Sequence, residues 1–140
     1  MAATSATYGQ PIALSANAFS RVGYTFRGWS TEAEGPVVYA DGAEVVNLTE
    51  LADQKVPLYA LWQANSYTIA YNANGGEGAM ASTPATYGES LQLPASLFTR
   101  TGYTFQGWAT TPQGEALYAD SAEVENLTAE LNGTITLYAL

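Results

Sequence analysis

Few side chains in this sequence can do chemistry. The 140 residues contain neither histidine nor cysteine. That removes imidazole bases, Ser-His-Asp triads, thiol nucleophiles, disulfides and nearly all zinc sites. The groups that remain come in pairs. Asp41 with Glu44, and Asp120 with Glu123, supply carboxylates that could ligate calcium or serve a glycosidase. They lack the dense alternating oxygen ligands of a calcium loop, and nothing signals a large cleft-bearing fold. A solvated face or a charge at a helix N-terminus is the expected use. Arg21 and Arg100 each precede a Gly-Tyr pair and could read a carboxylate or phosphate. An ion pair, or a stem packed over an aromatic ring, suits so acidic a chain better. Trp29 and Trp108 could form sugar-stacking platforms, but a small unit needs such rings for its interior.

Those pairs are members of a repeat. Gly23-Tyr24-Thr25-Phe26-Arg27-Gly28-Trp29 recurs as Gly102-Tyr103-Thr104-Phe105-Gln106-Gly107-Trp108. Asn47-Leu48-Thr49 recurs as Asn126-Leu127-Thr128, and Leu58-Tyr59-Ala60-Leu61 as Leu137-Tyr138-Ala139-Leu140. Every match has the offset that separates 29 from 108, so residues 1–61 align with 80–140 without a gap, with roughly half the positions identical. A fixed period without gaps means one structural unit used twice. The repeated aromatics Tyr24, Phe26, Trp29 and Tyr59, with Tyr103, Phe105, Trp108 and Tyr138, are the expected core of the two units.

Residues 62–79 occur once. They carry Tyr67-Thr68-Ile69-Ala70-Tyr71-Asn72, which alternates like a strand, and then the turn signal Asn74-Gly75-Gly76. The unit beginning at Met1 lacks a copy of this strand. The chain therefore reads as cut from a longer array, with an unpaired sheet edge in its first unit. The expected boundaries are a first repeat over 1–62, a link over 63–66 and a complete repeat over 67–140.

The elements that position the aromatics read mainly as strands. Alternation over 102–108 places Tyr103, Phe105 and Gly107 on one face and Thr104, Gln106 and Trp108 on the other. Ile135, Leu137 and Ala139 share a face. Gly28 and Gly107 are suited to a bulge or close packing. Short helical segments are expected over Ser121–Leu131, with Ser121 as N-cap, and after Pro94. The three Asn-x-Thr sequons read as accidental.

Thirteen acidic residues against four basic ones give a net charge of −9. This weighs against nucleic acid and anionic membranes. With 47% apolar and 12% aromatic residues, the chain has the means to fold. No apolar run is long enough to cross a membrane, and no signal peptide is read at Met1. No cofactor or metal is implied. Lys55 is the only lysine, and its counterpart is Thr134, so a lysine-based isopeptide bond in every unit is ruled out.

The order Asn-Gly-Gly, Tyr87-Gly88, Arg100-Thr101-Gly102-Tyr103-Thr104-Phe105-Gln106-Gly107-Trp108 and Leu137-Tyr138-Ala139-Leu140 resembles the Listeria–Bacteroides repeat, the B-repeat of internalin B. The closing Leu-Tyr-Ala-x-Trp pattern of that family stands in the first unit as Leu58-Tyr59-Ala60-Leu61-Trp62. The resemblance covers the whole chain. It implies tandem β-grasp-like (ubiquitin- or SUMO-like) small repeats, mainly β or α+β, in secreted or wall-anchored bacterial surface proteins of the adhesin type, between a binding head and an anchor. The expected function is a non-catalytic stalk or spacer outside the cell. The alternative is a module that binds a host protein or a glycan. A variant is a strand-exchange dimer formed through the incomplete first repeat.

Overall fold

The computed structural model describes all 140 residues. Ten short strands and no helix make up the chain. It divides into two compact units, Met1–Gln63 and Ala64–Leu140.

The second unit is the complete one. It contains β5 (Ser66–Asn72), β6 (Thr83–Thr86), β7 (Ser90–Gln92), β8 (Trp108–Ala109), β9 (Glu123–Glu125) and β10 (Gly133–Ala139). One four-stranded sheet runs in the order β6-β5-β10-β8. Its central pair, β5 and β10, is parallel, from Gly133↔Tyr67 to Tyr138↔Asn72. β6 and β8 flank that pair antiparallel. Alternation then sends Tyr67 and Ile69 of β5, and Leu137 and Ala139 of β10, to one face. There they form the core with Ala85, Leu93, Trp108 and Val124. β7 and β9 close the unit as a separate antiparallel pair, with Leu91 opposite Val124.

The first unit contains β1 (Ile12–Ala13), β2 (Tyr24–Ser30), β3 (Glu44–Val45) and β4 (Tyr59–Ala64). β1 and β3 repeat the β7–β9 pair, with Ile12 opposite Val45. β2 and β4 pair with each other. Residues 4–7 and 54–58 align with β6 and most of β10, yet neither segment is a strand. The strand that would lie between them, the counterpart of β5, has no copy in this unit.

Three expectations are corrected here. The segment Ser121–Leu131 is not a helix. Ser121 and Asn126 have φ values of 57° and 54°, in the left-handed region that breaks a right-handed helix, and Glu123–Glu125 between them pairs with β7. The segment after Pro94 is irregular as well. In the segment 63–66, Gln63 and Ala64 end β4, Asn65 is buried and Ser66 opens β5.

The third correction concerns the facing of Phe105 and Trp108. Strict alternation would put them on opposite faces, yet their rings meet at 5.0 Å, edge to face. Phe26 and Trp29 do the same at 5.1 Å. The parity changes at Gly107 and Gly28, whose φ values of 136° and 142° admit a bulge that few other residues tolerate. A Cβ at Gly107 would lie 2.7 Å from the Tyr118 carbonyl oxygen, and one at Gly28 would lie 2.7 Å from that of Tyr39.

Candidate functional site

Each unit is organised around its tryptophan. Trp108 is fully buried, and Trp29 is 5% exposed. Phe98, Phe105 and Tyr71 surround Trp108 at 6.0, 5.0 and 5.2 Å. Around Trp29 stand Phe19 at 6.3 Å and Phe26 at 5.1 Å, and Phe26 in turn meets Trp62 at 5.6 Å. Both indole N–H groups are buried without a hydrogen-bond partner. Aromatic mass therefore outweighs a polar penalty of roughly 1–3 kcal/mol at each indole.

The other aromatics expected in the core divide. Phe26, Phe105, Tyr24 and Tyr138 are half-buried. Tyr103, at 67%, and Tyr59, at 41%, are exposed. Tyr103 carries the Arg100 guanidinium 4.0 Å above its ring. Arg21 stacks in the same way over Tyr24, at 3.8 Å. The repeated arginines thus spend their charge on a ring face.

Two of the repeated acids and two repeated amides are also committed internally, while Glu44 and Glu123 are exposed. The Asn17 N–H donates to Asp41 Oδ1, and the Ser96 N–H donates to Asp120 Oδ1, both at 2.8 Å. The Gly9 N–H donates to Asn47 Oδ1, and the Gly88 N–H donates to Asn126 Oδ1, both at 2.6 Å. These four side chains pin turns, and the sequence reading missed that role. The bonds span 24 or 38 residues, so the local sequence does not reveal them. Asn47 and Asn126, at φ 54° in both units, are the first residues of two of the sequons. No group of three or more acidic, histidine or cysteine side chains is placed to hold a metal ion.

What distinguishes the first unit is a groove of about 1030 Å³, lined by Thr4, Ala6 and Thr7 and by Gln54–Leu58. Its floor includes Leu14, Phe19, Trp29, Val45 and Leu48. The counterparts of these floor residues are Leu93, Phe98, Trp108, Val124 and Leu127, all of which belong to or pack on the core that contains Tyr67 and Ile69 of β5. The burial difference follows. Leu137 is fully buried, while its counterpart Leu58 is only half-buried. Phe98 is half-buried, while Phe19 is 48% exposed. Ala85 is buried, while Ala6 is exposed.

The model of the Listeria-Bacteroides repeat domain matches residues 1–60 and again residues 67–140. Among curated proteins, the chain is 29% identical over 124 residues to a protein of Evansella cellulosilytica described as a Gly-rich membrane protein, covering 86% of this chain and 14% of that one. A second membrane protein of the same organism is 33% identical over 86 residues, covering 61% of the chain and 12% of the relative. Internalin H of Listeria monocytogenes is 28% identical over 121 residues, covering 86% of the chain and 19% of the relative. The chain thus spans less than a fifth of the length of each of these relatives. No solved structure matches it. With both units matched in turn, the chain belongs to the Listeria-Bacteroides repeat family.

Proposed function

We propose that the chain is a non-catalytic spacer module of a bacterial surface protein, held outside the cell, whose work is to add length between a head and an anchor. One observation carries this reading: three pairs of polar side chains repeated in the two units are used internally. Asp41, Asp120, Asn47 and Asn126 hold turns, and Arg21 and Arg100 lie over tyrosine rings. Recurrence here preserves a fold rather than a reactive constellation, as repeat architectures require. The internalin and membrane-protein relatives support placement at the cell surface. The hairpin β5–β6, with β10 returning parallel to β5, supports the β-grasp part of the reading, in a version without a helix.

Small-angle scattering on chains with increasing copies of the second unit tests the spacer role. The maximum dimension should rise by a constant increment per copy. A dimension that stops growing would contradict the reading.

A further inference from the structure

We propose that Asn132 is a site of spontaneous covalent modification, deamidation through a cyclic imide, and that the fold protects the other Asn-Gly pair, Asn74-Gly75, from the same reaction. The inference goes beyond the spacer reading and does not depend on it.

The chemistry needs an asparagine, a glycine directly after it and water. Glycine has no Cβ to shield its backbone nitrogen. At Asn132-Gly133, the Gly133 nitrogen gives up its proton to hydroxide and attacks Asn132 Cγ. The new N–Cγ bond closes a cyclic imide. The Cγ–Nδ2 bond breaks, and Nδ2 leaves as ammonia with a proton from water. Water then adds to one of the two imide carbonyls, and the C–N bond at that carbonyl breaks. Opening at Cγ gives aspartate on the ordinary backbone. Opening at the main-chain carbonyl gives isoaspartate, whose chain runs through Cβ. Overall one water enters and one ammonia leaves, with no oxidant or reductant.

The two Asn-Gly pairs are held differently. Asn74 is half-buried, and its Nδ2 donates to the Pro112 oxygen at 2.7 Å and to the Ala139 oxygen at 2.9 Å. Its Cγ cannot turn onto the Gly75 nitrogen without breaking both bonds. Asn132 is exposed, and its side-chain amide has no hydrogen-bond partner. There only the bond from the Gly133 N–H to the Glu130 oxygen, at 3.1 Å, has to open.

The repeat shows that the turn admits the product. Asp53 is the counterpart of Asn132, and the two have φ values of 55° and 56°. The first unit therefore already carries an aspartate in the same left-handed conformation, which Asn and Asp both tolerate. Gln54 follows it where Gly133 follows Asn132, so the first unit lacks the reactive pair. In the second unit the Asn132 N–H donates to the Ser66 oxygen at 2.8 Å, and Gly133 opens β10 opposite Tyr67. Aspartate keeps this geometry and adds a negative charge near Glu130. Isoaspartate lengthens the main chain where β10 enters the sheet and disturbs that first register pair.

The test is incubation of the whole folded chain in mildly alkaline, isotopically labelled water. Peptide mass spectrometry, with fragmentation that separates aspartate from isoaspartate, reads both sites. Position 132 should take up the labelled oxygen and convert more than about tenfold faster than position 74, as two extra hydrogen bonds at Asn74 imply. In denaturant the two sites should react within about threefold of each other, since each is followed by glycine. Gly133→Gln, which installs the residue of the first unit, should slow conversion at position 132 by more than about tenfold. Asn132→Asp should leave the amide NMR signals of Ile135 and Leu137 in place. Equal rates in the folded chain, faster conversion at Asn74, or an Asn132 that stays intact while the denatured chain converts would overturn the proposal. So would loss of the β10 signals in Asn132→Asp, because the turn would then reject the product.

Discussion

The two units are one sequence pattern with and without a single strand. Where β5 is present, three neighbouring segments become one sheet, and Leu137, Leu93 and Trp108 are sealed. Where it has no counterpart, residues 4–7 and 54–58 are not strands, although residues 4–7 differ from β6 only at Ser5; residues 54–58 share only Leu58 with their counterpart in β10 and carry Pro57. Meanwhile β1–β3 pairs just as β7–β9 does, and Trp29 keeps its edge-to-face contacts with Phe19 and Phe26. The comparison separates two layers of the fold. The tryptophan cluster and the pinned turns form locally, whereas the main sheet depends on a central strand that both of its neighbours share. A strand with partners on both sides satisfies two ladders at once, so its loss removes both.

The largest expected effect is a contrast between matched leucines. Leu137→Ala removes a fully buried side chain and should cost the second unit about 2–5 kcal/mol. Leu58→Ala, in the open groove, should cost the first unit only about 1 kcal/mol. Chemical denaturation followed by NMR signals from each unit measures both. Equal costs would mean that the first unit is packed as tightly as the second.

A middle-sized effect should be indifferent to the strand. Gly107→Ala and Gly28→Ala each place a Cβ within 2.7 Å of a carbonyl oxygen at a positive φ. Each should cost its own unit about 1–3 kcal/mol. A large difference between the two would show that the bulge depends on the sheet, against the layering argued here.

The smallest effect is a pH dependence at Tyr71 in the second unit. Burial raises the pKa of Tyr71 above its ordinary 10.0, opposed in part by the hydrogen bond to Thr83. The folded state therefore favours the neutral phenol. That contribution is fully present below pH 10 and is lost as the pH rises through the raised folded value. Tyr71→Phe should remove this share of the alkaline loss of stability, measured by denaturation between pH 9 and 12.

Much of this was legible in the sequence. The gapless repeat gave the two units, and the alternation of Ile135, Leu137 and Ala139 gave the inward face of β10. Other features were not legible, for physical reasons. Ser121–Leu131 has helix-compatible composition, but Ser121 and Asn126 take left-handed φ, and β7 claims Glu123–Glu125 as a partner. Period-two counting failed at Gly107 because a bulge shifts parity without changing sequence length. The recurrence of Tyr24 as Tyr103 predicts an interior place, yet Tyr103 is 67% exposed. The turn-pinning roles of Asp41, Asp120, Asn47 and Asn126 required knowing which backbone amides lie across from them.

The dependence of the sheet on β5 is most directly tested by native-state amide hydrogen exchange at matched positions. Ile135 and Leu137 should exchange only on global opening of the second unit, while Val56 and Leu58 should exchange orders of magnitude faster, near the rate of unprotected amides. Equal protection at these two pairs would contradict the account, because the first unit would then have formed its sheet without the central strand.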